Sequence, residues 1–193
     1  HRRLSLSDIP SIESYAERLR HEPAELNALY EDLLIGVTQF FRDKEPFELL
    51  EEEILPDYLR KQDSARTIRA WVAGCGTGEE AYSLAIAFYE AYQKLGRHVQ
   101  LKIFATDVHK ASLEHAGRGL YSEQSVKSVT PQRLERFFVR KSDGYQIASE
   151  IRELIVFAPH NALRDAPFTD LDFVSCRNLL IYFQPAAQTK ALS

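Results

Sequence analysis

Apolar residues recur at three- and four-residue spacing through the first sixty positions, then gather from Ile68 onward into short blocks separated by helical stripes. Ser11 stands in N-cap position ahead of Ile12, Tyr15, Ala16 and Leu19, which share one helical face. Pro23 suits a first helical turn, followed by the stripe Leu26, Leu29, Tyr30, Leu33 and Leu34, with Gly36 as the stop. A third helix runs from about Pro46 through Phe47, Leu50, Ile54 and Leu55, and Pro56 restarts or kinks it. From there the pattern predicts a strand over 68–73, a helix over 79–95 closed by Gly96, a strand over 99–106 and a helix over 110–116. Strands alternating with helices imply a parallel sheet with helical crossovers.

The rhythm breaks between Gly117 and Ile155. A helix near 131–137 precedes a hairpin over 138–140 and 145–148, with Asp143-Gly144 as its turn signal. Strands over 154–158 and 171–176 then resume the α/β pattern, each followed by a loop containing Asn. The chain thus reads as a helical N-terminal domain and linker over 1–60 and an α/β domain over 61–193, with 118–153 a small antiparallel subdomain inserted into it.

Composition narrows the function. A formal net charge of −4 gives no electrostatic footing for nucleic acid. No apolar run approaches the roughly 20 residues that span a bilayer, and no signal peptide is visible, so a reducing cytoplasm is expected. Cys75 and Cys176 lack metal-ligand spacing, and no metal is expected. The sequence begins without Met and reads as a fragment of something longer.

The densest chemistry follows the first strand, where Gly74, Gly76 and Gly78 open into a helix beginning Glu79-Glu80. Glycines there let backbone approach a nucleotide-like ligand. A dinucleotide fingerprint needs a third glycine where this chain has Glu79, and two carboxylates at a helix N-terminus repel a pyrophosphate. The loop therefore suits a nucleoside bearing positive charge and no phosphate, a description that S-adenosylmethionine fits. Asp107 ends the second strand, where an acidic residue either accepts from both ribose hydroxyls or caps the next helix. His160-Asn161-Ala162 and Arg177-Asn178-Leu179 follow later strands and open on the same sheet edge. Asn offers the donor and acceptor an adenine edge requires, and is also an ordinary turn residue. His160 reads as structural more readily than as a general base. Thr38 and Arg42 flank two aromatics between helices, and composition does not separate a ligand-binding role from capping and surface roles.

Four separated motifs then converge. VTQFFRD (37–43), GCGTGEEAYSLA (74–85), ATD (105–107) and DFVSCRNLLIYF (172–183), the last preceded by His160-Asn161, resemble the chemotaxis receptor glutamate methyltransferases (CheR-type) along almost the whole chain. DLLIGVT (32–38) makes the likeness closest to members embedded in larger multidomain signalling proteins. The resemblance implies a class I, Rossmann-like methyltransferase domain with an all-helical N-terminal domain and a small antiparallel β insertion. It also implies methyl transfer from S-adenosylmethionine, giving S-adenosylhomocysteine, to glutamate carboxylates of chemoreceptors or related sensory proteins.

By motif, Thr38 and Arg42 reach the cofactor's methionine end, with Arg42 on its carboxylate. Glu79 takes the α-ammonium and Asp107 the ribose. Gly74 and Gly76 line the loop, and Asn161, Ala162, Asn178 and Leu179 frame the adenine and methionine backbone. Gly36 stands where other members can carry Asn. A class I sheet has seven strands and only four can be counted before Ser193, so the C-terminal strands are expected to be missing, turnover by this chain is expected to be poor, and no catalytic residue is assigned. The competing function is a non-catalytic S-adenosylmethionine-binding sensor or scaffold module in a multidomain signalling protein.

Overall fold

The computed structural model describes residues 11–23, 25–26, 29 and 38–192. The chain divides into two compact units, 1–37 and 38–193. In the first, Ser11 accepts the Ser14 amide at 3.2 Å and so caps helix α1 (Ile12–His21). Tyr15 is buried there, its hydroxyl donating to Glu25 at 2.8 Å. Tyr30, Leu33, Leu34 and the Gly36 stop lie outside the described residues.

The second unit opens with helices α2 (Lys44–Leu49) and α3 (Leu55–Lys61), joined by a π-helical turn, Leu50–Ile54. Pro56 brings no amide hydrogen, and its ring needs room in the turn before it. The widened turn supplies that room and lets the Leu55 amide reach the Leu50 carbonyl. It also rephases the apolar stripe. Phe47, Leu50, Leu55 and Leu59 are buried, whereas Ile54, expected on that stripe, is 46% exposed.

Strands β1 (Ile68–Ala73), β2 (Leu101–Asp107), β6 (Ile155–Pro159) and β7 (Phe173–Ser175) form a parallel sheet in the order β6-β2-β1-β7. Ile68 pairs with Leu101, Ile103 with Ile155, and Ala70 with Phe173. Ile68, Ala70, Val72, Leu101, Ile103 and Ala105 fall on one face and are buried with the apolar residues of helix α4 (Glu79–Lys94). The fold is therefore α/β with a parallel central sheet.

β7 is shorter than the predicted 171–176, and just ahead of it Asp172 is joined to Arg69 both by its amide, which donates to the Arg69 carbonyl at 2.8 Å, and by its side chain. Its carboxylate, 5% exposed, accepts from the Arg69 amide at 2.9 Å, from the Tyr58 hydroxyl at 3.0 Å and from Arg66.

Between β2 and β6 run helix α5 (Lys110–Arg118), β3 (Leu120–Tyr121), helix α6 (Pro131–Phe137), β4 (Phe138–Lys141), β5 (Gly144–Ile147) and the short helix α7 (Ser149–Arg152). The three strands make a separate antiparallel sheet in the order β3-β5-β4. The hairpin turns at Ser142-Asp143, not Asp143-Gly144, because Gly144 is already paired with Lys141. Gly144 has φ +140°, and a Cβ there would lie 2.1 Å from the Tyr121 carbonyl oxygen. The glycine is demanded by the approach of β3. A 3₁₀ turn (Leu180–Tyr182) and helix α8 (Pro185–Leu192) follow β7.

Candidate functional site at the carboxyl ends of the parallel strands

The loop 74–78 carries the chain from β1 into α4. Gly78 has φ +97°, and a Cβ there would come within 2.8 Å of the Ala116 Cβ and 3.0 Å of the Tyr121 hydroxyl. Helix α5 and strand β3 thus press on the loop from one side, and the Tyr121 hydroxyl donates to the Thr77 carbonyl at 2.6 Å. On the other side the Leu179 side chain lies 3.1 Å from where a Gly74 Cβ would be. Between them Gly76 has nothing within 4 Å of its Cβ position, so its backbone faces open space.

Asp107 ties three strand ends together. Its carboxylate accepts from the Gly76 amide and the His109 amide, each at 2.9 Å, and its carbonyl accepts from the His160 amide at 3.1 Å. It is not the cap of α5: the His109 ring takes that place, accepting the Ser112 amide. An ionised carboxylate has about four acceptor sites, so each oxygen keeps capacity for one hydroxyl.

Glu79 is the most buried charged residue described, 5% exposed. Burial pushes its carboxyl above the usual range, opposed by the Thr77 hydroxyl, which donates at 2.6 Å, by its own amide and by the more distant charge of His115. Among the described residues, no basic nitrogen lies within ion-pair distance of it. A desolvated carboxylate with hydrogen bonds and no counter-ion suits a cationic ligand. Glu80 is also raised by burial, but Ser175 donates to it and the charges of Arg177 and Arg42 oppose the shift.

Arg42 sits half-buried between two residues in left-handed conformation, Phe41 at φ +51° and Asp43 at φ +57°. Arg177 holds this linker, donating to the Arg42 carbonyl at 2.8 Å and to the Asp43 carboxylate at 2.9 Å. Thr38 is half-buried at the start of the same segment.

Asn161 turns back on its own loop, its side-chain oxygen accepting the Leu163 amide at 3.0 Å and its amide donating to Asp165 at 2.7 Å. Ala162 beside it is half-buried, and Asn178 is exposed at φ +55°. His160 packs against Trp71 and Phe168, with Nε2 3.0 Å from the Ala166 carbonyl, a structural placement. Among the described residues no cluster of His, Cys, Asp or Glu could hold a metal ion.

The structure thus joins Gly74, Gly76, Asp107 and Leu179 around one loop, puts Glu79 at its end, and sets Arg42 near Glu80. It does not join Asn161 and Asn178 by any direct bond among those described. The sequence reading missed Thr77, Ser83, Ser175 and Arg177. Of these only Ser83, four residues after Glu79 on the helix, carried a local signal.

Comparison with known proteins bears on this arrangement. The family described as CheR methyltransferase, SAM binding domain, matches residues 36–193. An uncharacterized 104.1 kDa protein of Rhodobacter capsulatus is 46% identical over 99% of this chain, which spans 20% of that protein. Chemotaxis protein methyltransferase 2 of Vibrio cholerae is 34% identical over 98% of the chain and 67% of its own length. The chemotaxis protein methyltransferase of Escherichia coli is 32% identical over 99% of the chain and 65% of its own length. The chain spans a fifth of the first of these relatives and about two thirds of the others. With that match over most of its length, the chain belongs to the CheR methyltransferase family, whose S-adenosylmethionine-binding domain it carries.

Proposed function

We propose that this chain is the cofactor-binding, methyl-transferring part of a protein-glutamate O-methyltransferase acting on chemoreceptors or related sensory proteins. One observation carries the reading: a buried Glu79 with no ion-pair partner among the described residues, beside the open backbone of Gly76 and the spare acceptor capacity of Asp107. These residues fit S-adenosylmethionine, the cofactor of this domain family. Glu79 would hold its α-ammonium, Asp107 its ribose hydroxyls, and Arg42 its carboxylate, a task suited to a guanidinium fork. Thr38 would reach the same methionine end. Asn161, Ala162, Asn178 and Leu179 would border the adenine and methionine backbone.

When bound, S-adenosylmethionine supplies a methyl group on a sulfonium, which a carboxylate oxygen takes while the bonding pair returns to sulfur and no proton moves. A carboxylate is already ionised near neutral pH. The protein's part is therefore alignment and exclusion of water, and no general base is needed. The division into a helical domain over 1–60 and a methyltransferase domain over 61–193 with the 118–153 insertion belongs to this proposal. So do a cytoplasmic site of action and joint work with other domains of a parent chain. No helix of the described residues is long and apolar enough to cross a membrane.

The test is transfer of labelled methyl from S-adenosylmethionine to a chemoreceptor cytoplasmic fragment. The expected product is a methyl ester, which mild base releases as methanol. Base-stable label would contradict the glutamate assignment. Cofactor binding without transfer to any receptor fragment would favour the non-catalytic binding module.

A further inference from the structure

The linker that carries Arg42 is held in a conformation its own residues resist. Phe41 and Asp43, on either side of Arg42, both adopt positive φ; Asp tolerates that region, but a bulky residue such as Phe41 avoids it unless its surroundings impose it. One imposing group is the Ser83 hydroxyl. Ser83 is fully buried on α4, one turn beyond Glu79. Its Oγ accepts the Phe41 amide at 2.9 Å and donates to the Glu79 carbonyl at 2.7 Å. A serine inside a helix commonly bonds the carbonyl four residues back; here the same oxygen also collects an amide from a segment 42 residues away in sequence.

A second hold comes from the opposite side. The Ser128 hydroxyl donates to the Phe40 carbonyl at 2.8 Å, and the Arg133 guanidinium lies 4.1 Å over the Phe41 ring. The Phe40 side chain is fully buried, edge-on to Tyr121 and Phe138. The Phe40–Phe41 peptide is thus held at both ends, its carbonyl by Ser128 and its amide by Ser83, two groups that have no assigned role on the cofactor.

We propose that Ser83 is a positioning residue: its hydroxyl registers the Arg42 linker against the helix that presents Glu79, so that the two groups assigned to the methionine end of the cofactor are set by one hydrogen-bond relay. This rests on the assignment of Arg42 to the cofactor carboxylate. Removing the hydroxyl leaves the Phe41 amide without its partner and frees a strained peptide to relax, which swings Arg42.

The test compares two probes by titration calorimetry. S-adenosylhomocysteine carries the carboxylate and ammonium; 5′-methylthioadenosine lacks both. Arg42→Ala should weaken S-adenosylhomocysteine roughly ten- to hundredfold, the worth of a charged hydrogen bond, and leave methylthioadenosine unchanged. Ser83→Ala should weaken S-adenosylhomocysteine roughly three- to tenfold, again sparing methylthioadenosine. In an Arg42→Ala background Ser83→Ala should have no further effect on either probe. Ser128→Ala, on the surface, gives the same split if Ser83→Ala does not fold.

Equal loss of both probes in the folded serine variants, or full additivity with Arg42→Ala, would overturn the positioning role while leaving the cofactor assignment intact. Normal S-adenosylhomocysteine binding by Arg42→Ala would instead overturn the assignment of Arg42, and this inference with it.

Discussion

Burial raises the Glu79 carboxyl while the Thr77 hydroxyl and its own amide pull the other way, and the balance leaves the folded protein holding that proton to higher pH than the unfolded chain does. A raised folded-state pKa favours folding in the protonated form. The associated stability is fully present below the unfolded value of about 4.3 and is lost as pH rises through the folded one. At neutral pH the ionised side chain is therefore a cost to the ligand-free protein. Glu79→Gln, which can still accept from Thr77, should raise its thermal midpoint at pH 7.5 by a few degrees, 1 kcal/mol being worth about 2–4 °C in a domain of this size. The same substitution should weaken S-adenosylhomocysteine, and wild-type affinity should fall as pH drops through the raised Glu79 value. A lower midpoint in Glu79→Gln, read by calorimetric scanning, would show that the carboxylate is already compensated. For Asp107→Ala the expected loss in S-adenosylhomocysteine binding is about 1.5–3 kcal/mol, the range for bonds to a charged group. Unchanged affinity would remove Asp107 from the site. In the sequence, Asp107 taken alone reads equally as ribose ligand and helix cap, and the glycine loop and the family motifs favour the ribose. The tie of Asp107 to the Gly76 amide was illegible there, because donor and acceptor lie 31 residues apart.

At the scale of elements, hydrophobic period and glycine placement carried most of the reading. Strand 68–73 matches the structure residue for residue, because an apolar run marks its limits locally, and the helix expected near 131–137 spans Pro131–Phe137. The departures come from tertiary demands. The π-turn at Leu50–Ile54 rephases one stripe, the Asp172 carboxylate and amide both fasten the start of β7 to Arg69, and the approach of β3 demands a glycine at 144. The last of these is testable. Gly144→Ala must move the Tyr121 carbonyl, so it should cost about 2–4 kcal/mol in denaturant unfolding. Gly96→Ala is the control, since Gly96 has φ +65° with nothing within 4 Å of its Cβ position. It should cost only the left-handed strain of about 1–2 kcal/mol. Equal costs for the two would mean that β5 shifts to accept the methyl group.

For the molecule as a whole, parallel strands bring the glycine loop, Asp107 and the loops after β6 and β7 to one edge, an arrangement legible from the α/β alternation alone. What the sequence did not disclose is how the Arg42 linker is gripped. Ser83, Ser128 with nearby Arg133, and Arg177 reach it from three separate stretches of chain, and none stands in a spacing that announces a shared target. The proposed selection is of a cationic, phosphate-free nucleoside by a buried carboxylate and an acidic strand end. Its most direct measurement is calorimetric titration of S-adenosylhomocysteine and of a nicotinamide dinucleotide into the wild-type protein and Glu79→Gln. The expected result is one-to-one binding of S-adenosylhomocysteine, weakened roughly tenfold or more in Glu79→Gln, as loss of a charged hydrogen bond requires, and no binding of the dinucleotide. Preference for the dinucleotide, or S-adenosylhomocysteine affinity indifferent to Glu79, would contradict it.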